Sequence, residues 1–172
     1  MSSGKFGGAV IDISFWAVAF IAYAACSGFE MGELLLAAAI HEGGHLAALK
    51  FLGGEIREVK IGLMGIGMKA INHGIRNLRE EILLNLAGPL AGLWGGILAY
   101  MLHFKEFGDL SLCISLFNLL PIRGLDGGAA LNEALENRYG EKGEKIAAAI
   151  SVLTLLTAAA GFIYYMVFIF LP

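Results

Sequence analysis

Ile146 to Leu171 contains no charged side chain. About 20 apolar residues in a helix cross the roughly 30 Å hydrocarbon core of a bilayer, and this run exceeds that length. A helix on the surface of a water-soluble protein keeps a polar face, and this segment has none. The rest of the 172-residue chain agrees. Hydrophobic residues make up 58%, charged residues 16%, and the mean hydropathy is +0.72. Soluble domains average about 45–50% apolar and about 25% charged residues. The sequence predicts an all-α polytopic membrane protein of a single domain, residues 1–172. About five spans are expected, at 10–26, 34–52, 82–102, 108–121 and 146–171.

The segments between the spans differ in kind. Residues 27–33 read as a short acidic turn carrying Glu30 and Glu33. The stretch 55–71 is broken by Gly and charged residues, with Val59, Ile61 and Leu63 in partial alternation. That pattern predicts a small β element of one or two strands. Ala129 to Lys145 is polar and predicts an amphipathic surface helix. With the N-terminus inside, Lys5, the Lys/Arg of Lys50–Arg79 and those of Arg123–Lys145 are all cytoplasmic, and only Lys105 is outside. The positive-inside rule then sets a multi-pass protein of the cell membrane, with its main basic loops and β element at the cytoplasmic face. A net charge of −3 gives no sign of a nucleic-acid partner. Cys26 and Cys113 lack metal-ligand spacing and read as small membrane-helix residues.

Within the second expected span lies His41-Glu42-Gly43-Gly44-His45. Helix positions i and i+4 share a face, so both imidazoles can grip one metal ion. Zinc held by two His and a carboxylate keeps a fourth position open for water and lowers its pKa to about 7. Glu42 would then act as general base. Ionisable groups at membrane depth are costly and are seldom left without partners, which argues against incidental placement.

The third ligand is sought downstream. Asn118-Leu-Leu-Pro121-Ile-Arg-Gly-Leu-Asp126-Gly-Gly cannot continue a helix, because Pro121, Gly124, Gly127 and Gly128 interrupt it. Irregular backbone at membrane depth is tolerated only inside protein or beside a water-filled cavity. A broken helix carrying the Leu-Asp-Gly motif is therefore expected. Asp126 is its one acid and supplies the third ligand; as a helix cap it would serve Ala129 onward, and the two roles are compatible. In the span 82–102, Gly88, Gly92 and Gly96 stand four apart and make a smooth packing face. Pro89 should kink that helix or free an upstream carbonyl. Asn85 is a buried amide, read as interhelical glue ahead of a direct role in the chemistry.

These residues together resemble the site-2 protease family of intramembrane zinc metalloproteases. The compact layout is most similar to the sporulation branch that processes a pro-sigma factor. The resemblance covers roughly residues 30–135. It implies Zn²⁺ on His41, His45 and Asp126, Glu42 as catalytic base, and Asn118 as a group that touches substrate or the oxyanion. Pro121 and Asn85 join Asn118 as substrate-side candidates. One departure is Gly124, where the family often has Pro; it bears on the stiffness of the substrate-facing loop and leaves the metal ligands untouched. The implied partners are a membrane-associated or transmembrane protein substrate, the lipid bilayer and a regulatory membrane protein. Cleavage is expected near the cytoplasmic face, freeing a cytosolic fragment. Glu55–Ala70 is the expected docking edge, with Pro at Ile61 expected to slow cleavage. The alternative is a proteolytically inactive membrane binding or regulatory protein that keeps the fold. A metal or proton transporter is a third reading, disfavoured because the first and last spans carry almost no polar groups.

Overall fold

A computed structural model of the chain describes residues 10–11, 28–62, 65–71 and 77–170. Among these are five helices: α1 (Gly28–Phe51), α2 (Leu78–Met101), α3 (Lys105–Asn118), α4 (Asp126–Tyr139) and α5 (Glu141–Phe170). Three strands, β1 (Val10–Ile11), β2 (Glu55–Gly62) and β3 (Gly65–Ile71), form one sheet in the order β1-β2-β3. The β2–β3 pair is antiparallel and β1 joins β2 in parallel. The first expected span, 10–26, opens as strand at Val10–Ile11. Its remainder lies outside the described residues.

Several boundaries move, each for a local reason. Residues 28–33 belong to α1 and are not a separate turn. α1 ends where Gly53 takes a φ of 69°, so that Gly54 N–H reaches back to the Leu49 carbonyl at 2.9 Å. Only glycine adopts that conformation at little cost. α2 starts at Leu78, ahead of the expected residue 82, because Asn77 caps it. The Asn77 side chain accepts from Glu80 N–H at 3.0 Å and donates to the Glu80 carboxylate at 2.8 Å. α3 stops at Asn118, before Pro121. The expected surface helix 129–145 and final span 146–171 divide elsewhere. The break falls at Gly140, with a φ of 59°, so α5 begins at Glu141 and takes in the polar residues expected to close the preceding helix. The sequence pattern missed this because a single glycine, not a change in polarity, ends α4.

α2 is the central element and packs on α1, α3 and α4, while α4 leads into α5. The glycine stripe divides its duties. A Cβ at Gly88 would strike the His45 ring on α1, one at Gly92 the Ser115 hydroxyl on α3, and one at Gly96 the Leu112 side chain on α3. Close helix approach is what small residues at such interfaces permit. At Gly92 the only severe obstacle is that hydroxyl, since the next nearest atom would be at 3.5 Å. Gly92→Ala should therefore cost about 1–3 kcal/mol through overpacking. Adding Ser115→Ala should recover most of it, a non-additive pair measurable by thermal unfolding in detergent. Equal loss in the single and double variants would refute this account of the contact.

Among the described residues, two helices are long and apolar enough to cross a membrane, Leu78–Met101 and Glu141–Phe168. Neither is a buried core helix. Beyond Ser151, α5 leaves Leu153, Leu156, Phe162, Tyr164 and Phe168 exposed. A continuous apolar surface of this extent needs an apolar surrounding. Among the described residues the packed interior combines small residues such as Ala37, Ala99, Ala130, Ala147, Ser111 and Ser115 with the larger Leu49, Ile122 and Leu125.

Candidate metal centre

α1 carries His41 and His45 one turn apart, with ring centroids 5.1 Å apart in an edge-on arrangement. The third component arrives from a distant part of the chain. After α3 the backbone turns through Leu119–Leu125 and re-enters helix at Asp126. That turn lies directly against the start of α4. A Cβ at Gly127 would overlap the Leu119 carbonyl, and one at Gly128 the Ile122 carbonyl. The two glycines thus let the loop fold back on its own helix. The loop is also held from α5, since Arg123 N–H donates to the Ser151 hydroxyl at 2.9 Å and the Arg123 guanidinium pairs with Glu144 at 3.2 Å.

The result brings Asp126 Oδ2 to 3.1 Å from His41 Nε2 and 3.3 Å from His45 Nε2. One ligand atom from each of the three residues lies within 4.8 Å of the others. His41 is buried, and His45 and Asp126 are half-buried. Leu125 occupies the N-cap of α4 and no side chain caps it, so the Asp126 carboxylate serves the histidines and not the helix end. Two imidazole nitrogens thus face one carboxylate oxygen of Asp126. The place of Asp126 in the first turn of α4 favours a negative charge.

The protonation pattern tests whether a cation fits. His45 Nδ1 lies 2.8 Å from the Leu84 carbonyl, which can only accept, so Nδ1 carries the proton. In the neutral ring Nε2 then presents a lone pair to a carboxylate oxygen at 3.3 Å. Two facing lone pairs repel unless a positive centre lies between them. His41 Nδ1 is buried with no hydrogen-bond partner, and its Nε2 faces the Asp126 carboxylate at 3.1 Å. Two imidazoles and a carboxylate are a donor set suited to zinc. His41, His45 and Asp126 fit the ion.

The other expected residues lie elsewhere in the network. Glu42 is half-buried on α1 beside His41. Asn118 donates back to the Ile114 carbonyl at 3.0 Å, and Pro121 sits half-buried in the turn before Asp126. Asn85 donates to the Glu133 carboxylate at 3.0 Å, joining α2 to α4. Glu133 was not singled out in the sequence, although it stands seven residues after Asp126 and so shares its face of α4. The roles of Gly88 and the Leu84 carbonyl at His45 were missed as well. Only the glycine in Gly-Pro hinted at them.

The helical frame and the His–His–Asp cluster define a site-2 protease fold. A solved site-2 protease from Methanocaldococcus jannaschii superposes with a TM-score of 0.67, covering 96% of this chain and 85% of that one at 23% identity. In sequence, the chain is 38% identical over 107 residues to Stage IV sporulation protein FB of Bacillus subtilis, covering 57% of this chain and 37% of that protein. It is 33% identical over 151 residues to a zinc metalloprotease of Methanocaldococcus jannaschii, covering 79% of this chain and 40% of that one. The chain spans about two fifths of the length of these curated relatives. No protein-family profile matches it. The fold is that of a site-2 protease, and the sequence relatives are a sporulation protein and a zinc metalloprotease.

Proposed function

We propose that the chain is an intramembrane zinc metalloprotease that hydrolyses a peptide bond of a membrane-associated protein. The observation that carries this is the convergence of His41, His45 and Asp126, whose ligand atoms lie within 4.8 Å of one another. Bound there, zinc would polarise the scissile carbonyl and make water a competent nucleophile near neutral pH. The chain's own residues do the rest. His41 and His45 hold the ion from α1, and Asp126 holds it from the start of α4. Glu42 takes the proton of the attacking water and delivers it to the leaving amide nitrogen. Asn118, Pro121 and Asn85 remain the substrate-side candidates, Asn85 through its bond to Glu133.

The positive-inside distribution supports a multi-pass protein with cytoplasmic basic loops and about five spans, whose cut frees a cytosolic fragment. Mapping of new protein termini in membranes holding wild type or Glu42→Gln tests both activity and side. Termini found only with wild type and near the cytoplasmic face are expected. Cut sites in the external leaflet would refute the orientation, and no difference between the two membranes would favour the inactive binding protein.

A helical substrate must be unwound for attack, and strand addition is one way to hold it extended. The expected test position needs correction. Ile61 pairs with Ile66 on β3 and with Ile11 on β1, so β2 is the central strand and proline there would break the sheet itself. The outer side of β3 is the edge proposed for docking. Successive N–H groups along a strand point in opposite directions, so of Gly67→Pro and Met68→Pro one spares the β2 ladder and blocks only the outer edge. One of the two should slow cleavage while keeping zinc. Wild-type turnover in both would sink strand docking.

A further inference from the structure

We propose that Gly88 and the Leu84 carbonyl of α2 are positioning groups for His45, fixing the tautomer and ring direction with which it faces the metal. The inference deepens the zinc reading and rests on it. In α2 the Leu84 carbonyl already receives the helical N–H of residue 88, since helix bonds run from i to i−4. A carbonyl has two lone pairs, and His45 Nδ1 takes the second at 2.8 Å. Reaching it demands that the carbonyl be open from the side.

That opening depends on residue 88. In an α-helix each Cα–Cβ bond leans toward the N-terminus, so the side chain at i+4 normally stands over the turn that holds residue i. Here position 88 is glycine, and the His45 ring occupies the vacated space. A Cβ built at Gly88 would lie 2.5 Å from His45 Cδ2 and 2.7 Å from Cε1, and nearer still to Nε2. The imidazole edge that carries the metal-facing nitrogen therefore packs against bare backbone. Gly88 is itself buried, and so is Pro89 beside it. With Nδ1 tied to Leu84, rotation of the ring would break that bond, and Nε2 remains directed at Asp126. A ligand's outer hydrogen bond and packing typically account for about 10–100-fold in metal affinity.

The test uses the full chain in detergent with Co²⁺ and Zn²⁺ as probes. Gly88→Ala is expected to weaken Co²⁺ binding by about 10–100-fold against a competing chelator and to change the visible absorption of the bound ion. Gly96 lies on the same helix as Gly88, two turns on, and a Cβ there would meet the Leu112 side chain of α3 at 2.8 Å. Gly96→Ala should lower thermal stability while leaving affinity and spectrum as in wild type. Wild-type affinity in Gly88→Ala would overturn the proposal, as would equal weakening in Gly96→Ala, which would mark a general packing effect. A second measurement does not depend on a folded variant. Nitrogen NMR of ¹⁵N-histidine-labelled metal-free protein should show His45 protonated at Nδ1; protonation at Nε2 alone would overturn the assignment. Wild type that shows this tautomer yet binds neither ion would refute the zinc reading separately.

Discussion

Glu42→Gln is expected to lower peptide-bond cleavage by about 10²–10⁴-fold, the usual contribution of a positioned general base. Glutamine has nearly the shape of glutamate but cannot take a proton from water. The metal site should survive, because Glu42 is not among the three residues whose ligand atoms converge. Zinc content by elemental analysis should therefore stay at about one per chain. The combination is diagnostic. Loss of activity with zinc retained separates proton transfer from metal binding. Full activity in the glutamine variant would remove Glu42 from the mechanism and leave the source of the base unknown.

Asp126→Ala is expected to reduce zinc affinity by more than about 100-fold, since losing a ligand costs more than the 10–100-fold typical of losing an outer-shell partner. The effect on folding should be far smaller. Asp126 does not cap α4, so the main structural loss is its favourable charge in the first turn, about 0.3–1 kcal/mol. Asp126→Asn separates the two contributions further, because it keeps the size and removes the charge. Elemental analysis and unfolding of the metal-free protein provide the readouts. Zinc retained at wild-type affinity in both variants would exclude Asp126 as a ligand.

The local devices of this fold were partly legible in the residues. His41 and His45 share a helix face by spacing alone, and the apolar run after Ile146 could be little but a long exposed helix. Gly88, Gly92 and Gly96 announced close helix contact. Their partners did not follow from the spacing, because a stripe of glycines says only that something approaches. One of those partners is a ligand ring and two are α3 side chains. Asn77 at the start of α2 and Gly140 at the end of α4 carried cap signals that hydropathy outweighed in the reading, and the helix boundaries moved accordingly. Ile61 belongs to the stretch expected as a docking edge, yet it lies in the middle strand, since pairing on both sides depends on where the chain returns.

By itself the sequence determined the membrane character, the paired histidines with their glutamate, and the need for a broken segment around Asp126. Each of these is written in short-range spacing or in composition, where helix geometry and the bilayer act on neighbouring residues. Tertiary structure decided that Asp126 meets the histidines without capping its helix, 85 positions from His41. It also decided that the Leu84 carbonyl sets the His45 tautomer and that Ser151 and Glu144 hold the loop before Asp126. These contacts join segments far apart in the chain, and their geometry follows from how tightly α2 lets its neighbours approach.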